Sequence, residues 1–187
     1  MVPFNVVSLG GFLSRGELSI VCESFANFYR GVTSKHQRRS VLNIIDIEDH
    51  RSWLFDEVQE LDILPALNII SSSNRMEIIK IYQQASVLVL PIERTVGKII
   101  PEALAFGIPV VCFDSENMRE YLDQTCAMFV RPQKLERSAP DFTDIINMLY
   151  FDPEVRKILK RGASLKYDKS FSWYKFEQVP RIQLAAS

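Results

Sequence analysis

Short apolar runs alternate along the chain with stretches whose apolar residues recur at helical spacing. Phe4–Leu9 is such a run, closed by Gly10-Gly11, and predicts a buried strand followed by a tight turn. From Glu17 to Val32 the residues Leu18, Val21, Cys22, Phe25, Tyr29 and Val32 follow the period of a helix. Lys35–Ser40 reads as a polar connector, Val41–Ile47 as a second buried strand, and His50–Leu61 as a helix with Trp53, Leu54, Val58 and Leu61 on one face. Leu67–Ile70 is a third strand. Ser71–Asn74 is rich in capping residues and opens a helix whose inner face takes Met76, Ile79 and Tyr82, beside Ile78 and Ala85. Ser86–Ile92 is the strongest strand signal. A helix then runs around Pro101–Phe106 and stops at Gly107. Ile108–Phe113 and Ala127–Val130 complete the strands, with a short helix at Glu116–Leu122 between them. Helices follow at Phe142–Phe151 and Pro153–Ser164, and Pro132–Pro140 is the most linker-like piece.

Five or six strands separated by helices, each strand apolar throughout rather than alternating, predict an α/β fold: a parallel sheet covered on both faces. Such a sheet is doubly wound and Rossmann-like. There is no internal repeat.

Composition narrows the classes. The 187 residues are 47% hydrophobic and 24% charged, ordinary for a globular domain. A net charge of -1 gives no general attraction to nucleic acid, so no nucleic-acid partner is expected. No apolar run approaches the ~20 residues that span a bilayer. The first residues lack the layout of a signal peptide. Three unspaced cysteines, Cys22, Cys112 and Cys126, read as reduced thiols in a cytoplasmic protein, with Cys112 and Cys126 as small core residues. No set of His, Cys and carboxylates has metal-ligand spacing, so no metal or other cofactor is expected.

Ligands of open parallel sheets bind beyond the carboxyl ends of the strands, where helix N-termini favour anions. Two loops there attract notice. After the first strand, Gly10, Gly11 and Gly16 allow close backbone approach, and Arg15 supplies a forked cation suited to phosphate. Without the full Gly-x-Gly-x-x-Gly pattern, a plain turn with a solvated Arg15 remains the simpler reading of this loop alone. After the strongest strand comes Pro91–Lys98. Pro101 must lie in the first helical turn, because it lacks an N–H and clashes with a preceding turn. The helix therefore begins near Lys98–Pro101, its free amides facing the loop, with Glu102 in the first turn. Glu102 either stabilises that helix start or accepts hydrogen bonds from ligand hydroxyls such as those of a ribose. Glu93 and Arg94 are either a solvated pair or a grip on a sugar and a phosphate.

The stretch Ala85–Pro91 followed by Gly97-Lys98-Ile99-Ile100-Pro101-Glu102-Ala103-Leu104-Ala105-Phe106-Gly107-Ile108-Pro109-Val110-Val111 resembles the group 1 (GT4-type) glycosyltransferases. Val7–Gly16 is similar to that family's Gly-rich first loop, Ile78–Ala85 to the helix before its long strand, and Phe171-Ser172-Trp173 to an element near its C-terminus. The resemblance implies the C-terminal, nucleotide-sugar-binding half of a retaining hexosyltransferase of the GT-B fold. The Rossmann-like donor domain would cover residues 1–170 and a C-terminal helical tail residues 171–187. It also implies a UDP- or GDP-sugar donor, a glycan or lipid-linked acceptor as in polysaccharide biosynthesis, and a location in the cytoplasm or at the inner face of a membrane.

By the same resemblance, Glu102 matches the second acid of the family's Glu-x7-Glu motif and would hold the ribose hydroxyls. Thr95, Val96 and Gly97 would meet the donor sugar. Lys98 and Ile99 would offer backbone N–H groups to the diphosphate, with Gly10 and Gly11 in the loop facing it. Arg15 matches a basic residue that neutralises the leaving diphosphate, a form of transition-state stabilisation. Three positions depart from the pattern. Arg94 stands eight residues before Glu102, where the family has an acid; Glu93 is one place early, and Arg94 itself is a candidate to face the sugar. Gly10-Gly11 replaces Gly-Arg. Ile45-Asp46-Ile47-Glu48-Asp49 replaces a Gly-containing turn and adds negative charge.

The chain starts at the first strand of the second GT-B domain. The expectation is an excised fragment, a half that pairs with another chain, or a remnant, lacking its N-terminal Rossmann-like partner domain. Alone it is expected to bind donor but to be inactive or nearly so, because half a cleft cannot position the acceptor. The alternative is a degenerate, non-catalytic domain that docks on another protein. Acids at Asp46 and Asp49 also admit a phospho-receiver-like module, which would leave the Gly97–Val111 block without a role. His36 and His50 read as surface residues, Trp53 and Trp173 as packing residues. Phe171, Trp173 and Phe176 are expected to be exposed when the first domain is absent. Base selection is expected near Ile69–Ser73.

Overall fold

The computed structural model describes residues 3–45, 51–71, 75–94 and 97–172. The readings made for Asp46, Asp49, His50, Ser72, Ser73, Thr95, Val96, Trp173 and Phe176 lie outside them, as does nearly all of the expected tail.

Six parallel strands form one sheet: β1 (Phe4–Leu9), β2 (Ser40–Ile45), β3 (Leu67–Ile70), β4 (Val87–Leu90), β5 (Val110–Phe113) and β6 (Ala127–Val130). Their order is β3-β2-β1-β4-β5-β6. Every pairing is parallel, with Phe4 to Leu9 in unbroken register against Ser40 to Ile45. The sheet is Rossmann-like, the α/β class expected. The strands at its centre are buried on both faces: all four residues of β4 are inaccessible to solvent. That double burial is why they read as unbroken apolar runs.

The helices are α1 (Arg15–Gly31), α2 (Ser34–Gln37), α3 (Arg51–Glu60), α4 (Arg75–Gln84), α5 (Ile99–Ala105), α6 (Glu116–Arg119), α7 (Ala139–Phe151) and α8 (Pro153–Ser170). Helix α1 packs against α7, and α8 against α5. An aromatic cluster joins β1 to these helices: Phe4 and Phe28 lie 5.6 Å apart, and Tyr150 stands 5.2 Å from Phe4 and 5.0 Å from Phe28. All three cysteines are free and buried, as small core residues.

Helix α5 ends in a tight reversal. Gly107 has φ +65°, its N–H donates to the Leu104 carbonyl, and the Ile108 N–H reaches the Ala103 carbonyl, each at 2.9 Å. This is the double bond of a Gly-terminated helix. Helix α8 crosses close by. A Cβ on Gly162 would stand 1.8 Å from the carbonyl oxygen of Thr125, so only glycine permits this approach.

Several local expectations are corrected. Lys35–Ser40 is not a plain connector, because α2 occupies Ser34–Gln37 and leaves His36 5.5 Å from the Tyr150 ring. Pro132–Pro140 is not a linker: a 3-10 turn over Leu135–Arg137 leads directly into α7. Met76 is 66% exposed, while Ile78, Ile81 and Tyr82 of the same helix pack on the core. Phe171 is half-buried, its ring stacked on Tyr121 with an interplanar angle of 2°.

Candidate functional site

The chain passes from β1 outward to β2 and β3, then returns to place β4 on the other side of β1. The loops after β1 and β4 therefore diverge from neighbouring strands, and the crevice between them is the topological switch point where ligands of such sheets bind.

The loop after β1 is a 3-10 turn over Gly10–Phe12, leading to Ser14 as the N-cap of α1. Ser14 and Glu17 form a reciprocal capping box. The Ser14 N–H donates to Glu17 Oε2 at 2.7 Å, and the Glu17 N–H donates to Ser14 Oγ at 3.3 Å. Arg15, the first residue of α1, is exposed. Its guanidinium carbon lies 4.6 Å from the centre of the Trp53 ring on α3.

The loop after β4 is fastened on two sides. The Glu93 carbonyl accepts from Ser115 Oγ at 2.9 Å and Asn117 Nδ2 at 3.1 Å, which ties it to the segment that opens α6. Arg94 reaches the opposite way. Its Nη1 lies 2.5 Å from Glu17 Oε1, its Nη2 is 3.0 Å from Glu17 Oε2, and Nη2 also donates to the Phe12 carbonyl. Arg94 is thus committed to the loop after β1 rather than paired with Glu93. Burial by itself raises the Glu17 carboxyl, but hydrogen bonds from Arg94 and Ser14 outweigh it and hold the group below the ordinary carboxylate value.

Gly97 has φ +53°, and a Cβ there would meet nothing within 4 Å. The backbone conformation, not crowding, calls for glycine. Lys98 is the N-cap of α5, and Pro101 is its third residue, within the first turn as its missing N–H requires. The amides of Ile99 and Ile100 have no carbonyl to bond within the helix. Glu102 is half-buried beside them. Burial pushes its carboxyl up, against the opposing charges of Arg75 at the start of α4 and of Lys98. The structure therefore puts Gly10, Gly11, Glu93, Arg94, Gly97, Lys98, Ile99 and Glu102 on the loops and helix starts that follow the adjacent strands β1 and β4, with Arg15 on the first turn of α1.

The sequence assigns no site role to Glu17, Ser115 or Asn117, and Trp53 reads as packing alone. The Ser14-x-x-Glu17 spacing does announce a capping box. Nothing local announces that the same carboxylate also holds Arg94.

The model of the family described as glycosyl transferases group 1 matches residues 6–165. The chain belongs to the group 1 glycosyltransferases. Among curated proteins, this group 1 domain is 27% identical over 128 residues to the D-inositol 3-phosphate glycosyltransferase of Saccharomonospora viridis, a match covering 68% of the chain and 28% of that relative. Among solved structures it is similar to the pneumococcal O-GlcNAc transferase GtfA in complex with UDP and GlcNAc, with a TM-score of 0.75 and 13% identity over 89% of the chain and 32% of that one. It is also similar to the C-terminal domain of a group 1 glycosyltransferase from Francisella tularensis, with a TM-score of 0.70 and 15% identity, covering 91% of the chain and 88% of that domain. These likenesses identify the fold as that of a GT-B C-terminal domain. The chain spans under a third of the curated relative and of GtfA. Among the described residues no helix is long and apolar enough to cross a membrane.

Proposed function

We propose that this group 1 domain binds the nucleoside-diphosphate-sugar donor, of UDP or GDP type, of a retaining hexosyltransferase. In that enzyme a second Rossmann-like domain holds a glycan or lipid-linked acceptor. The observation that supports the reading is that the Gly-rich loop and the Glu102 helix, the two segments with the family's pattern, follow the adjacent strands β1 and β4, where the strand order reverses. Glu102 accepts hydrogen bonds from the ribose hydroxyls. The amides of Lys98 and Ile99 and the cation of Arg15 receive the diphosphate, Gly10 and Gly11 let it approach the backbone, and Thr95, Val96 and Gly97 border the sugar. No metal takes part: Arg15 supplies the countercharge as the diphosphate leaves.

Titration of the chain with UDP, GDP and their sugars by calorimetry tests this. Saturable binding by one base series, weakened about tenfold or more in Glu102→Gln, is the expected result. Absence of binding by every nucleotide in the set overturns it.

A specific observation favours a second reading, a domain that binds donor without transferring sugar. Arg94 stands where the family has an acid, and its guanidinium is taken up by Glu17 and Phe12. Glu93, one residue earlier, is then the carboxylate left to meet the sugar. Turnover of donor by the protein together with its second domain would overturn this second reading, and turnover unchanged in Glu93→Gln would remove Glu93 from that role.

A further inference from the structure

The two arginines at the crevice are held in opposite ways. Arg94 donates both arms of its guanidinium to a carboxylate and a carbonyl, so its charge is matched and its donors are occupied. Arg15 lies over the face of an indole. Among the described residues it forms no ion pair. Among the described residues, Glu57 on α3 is a carboxylate within electrostatic reach, and its Oε1 accepts the Ser19 hydroxyl. An aromatic face attracts a guanidinium and orients its plane, yet consumes none of its N–H donors and cancels none of its charge. It is the kind of support that leaves a cation available to an incoming anion.

The helices are arranged to provide it. Arg15 and Ser19 lie one turn apart on α1, and Trp53 and Glu57 one turn apart on α3. The two helices meet in two rungs, Arg15 on Trp53 and Ser19 to Glu57. The second rung sets the register that brings the indole beneath the guanidinium. Glu23, a further turn along α1, acts on Glu57 from the side away from Arg15.

We propose that Trp53 is a positioning residue for donor binding: its indole holds the Arg15 guanidinium, charged and with free donors, for the diphosphate of the nucleotide. This rests on the donor-binding reading above. Trp53 does not touch the reacting atoms; it acts through Arg15.

The experiment has two arms. In the ligand-free 187-residue chain, the Arg15 δ-protons carry an upfield ring-current shift by NMR that disappears in Trp53→Ala and persists in Trp53→Phe. In the second arm, whichever of UDP and GDP the chain binds is titrated beside the matching nucleoside, which lacks phosphates. Trp53→Ala weakens the diphosphate by about three- to tenfold, the range of a cation–π contact, and leaves the nucleoside unchanged. Trp53→Phe restores most of the loss, and Trp53→Ala adds nothing to Arg15→Ala. The proposal is overturned if Trp53→Ala binds the diphosphate as tightly as wild type, if it weakens nucleoside and diphosphate alike, or if its effect multiplies with that of Arg15→Ala. A normal ring-current shift in a chain that binds no nucleotide confirms the stack, overturns the donor reading, and removes the positioning role with it.

Discussion

Arg94 and Glu17, 77 residues apart, close a two-armed ion pair across the crevice between β1 and β4. Glu17 is buried and already caps α1, whereas Arg94 is half-exposed. The pair therefore joins a loop to the start of a helix that is itself internally braced. Arg94→Ala would leave the Glu17 carboxylate to its hydrogen bonding from Ser14 and the Phe12 carbonyl without its guanidinium partner. The expected loss is about 1–2 kcal/mol, as for a partly solvated charged hydrogen bond. Urea unfolding should show a lower midpoint with an unchanged slope.

The same pair gives stability a dependence on acid. The Glu17 carboxyl is held below its ordinary value of 4.5 in the folded chain. A depressed carboxyl contributes stability that is fully present above the unfolded value and is lost as pH falls through the folded one. Unfolding free energy measured from pH 6 downward should therefore drop more steeply for wild type than for Arg94→Ala below pH 4.5. Parallel curves would show that the pair does not titrate with folding.

Glu102 carries the opposite sign. Burial pushes its carboxyl up, so its contribution is present below the unfolded value of 4.5 and is lost as pH rises through the folded one. Glu102→Gln at pH 7 should leave the midpoint of thermal unfolding unchanged or higher while it weakens nucleotide binding. A binding residue that costs the fold some stability is a common compromise.

Two glycines should separate stability from binding. Gly97→Ala places a side chain at φ +53° with open space around it, and should cost about 1 kcal/mol from backbone strain alone. It should also weaken donor binding through the loop. Gly162→Ala drives a methyl group into the Thr125 carbonyl, and α8 must move away. It should cost about 2–3 kcal/mol by overpacking, with nucleotide affinity preserved in the folded fraction. Calorimetric melting and nucleotide titration of the two variants check the contrast.

The strands at the centre of the sheet were legible because they are buried on both faces. Phe4–Leu9, Leu67–Ile70 and Ala127–Val130 have the limits the apolar runs predict. The start of α5 was legible because Pro101 restricts where a helix can begin, and its end because Gly107 supplies the left-handed residue. Partners distant in sequence were not. Ser14 and Glu17 form a local motif, but the arrival of Arg94 depends on β4 lying next to β1, a fact of topology that no window of residues contains. Trp53 reads as packing from its helical spacing; that it lies under Arg15 follows only from the register of α3 on α1. Met76 shows the converse, an apolar residue at the right period that the fold leaves exposed.

Glu17 answers to two masters, its own helix and a loop far along the chain, and this constrains redesign. Substituting glutamate for Arg94, to regain the acid that the family carries there, would bring two carboxylates face to face and strip the Phe12 carbonyl of its donor. A repair of the motif therefore has to begin at position 17, with a neutral residue that still caps α1, before position 94 can change.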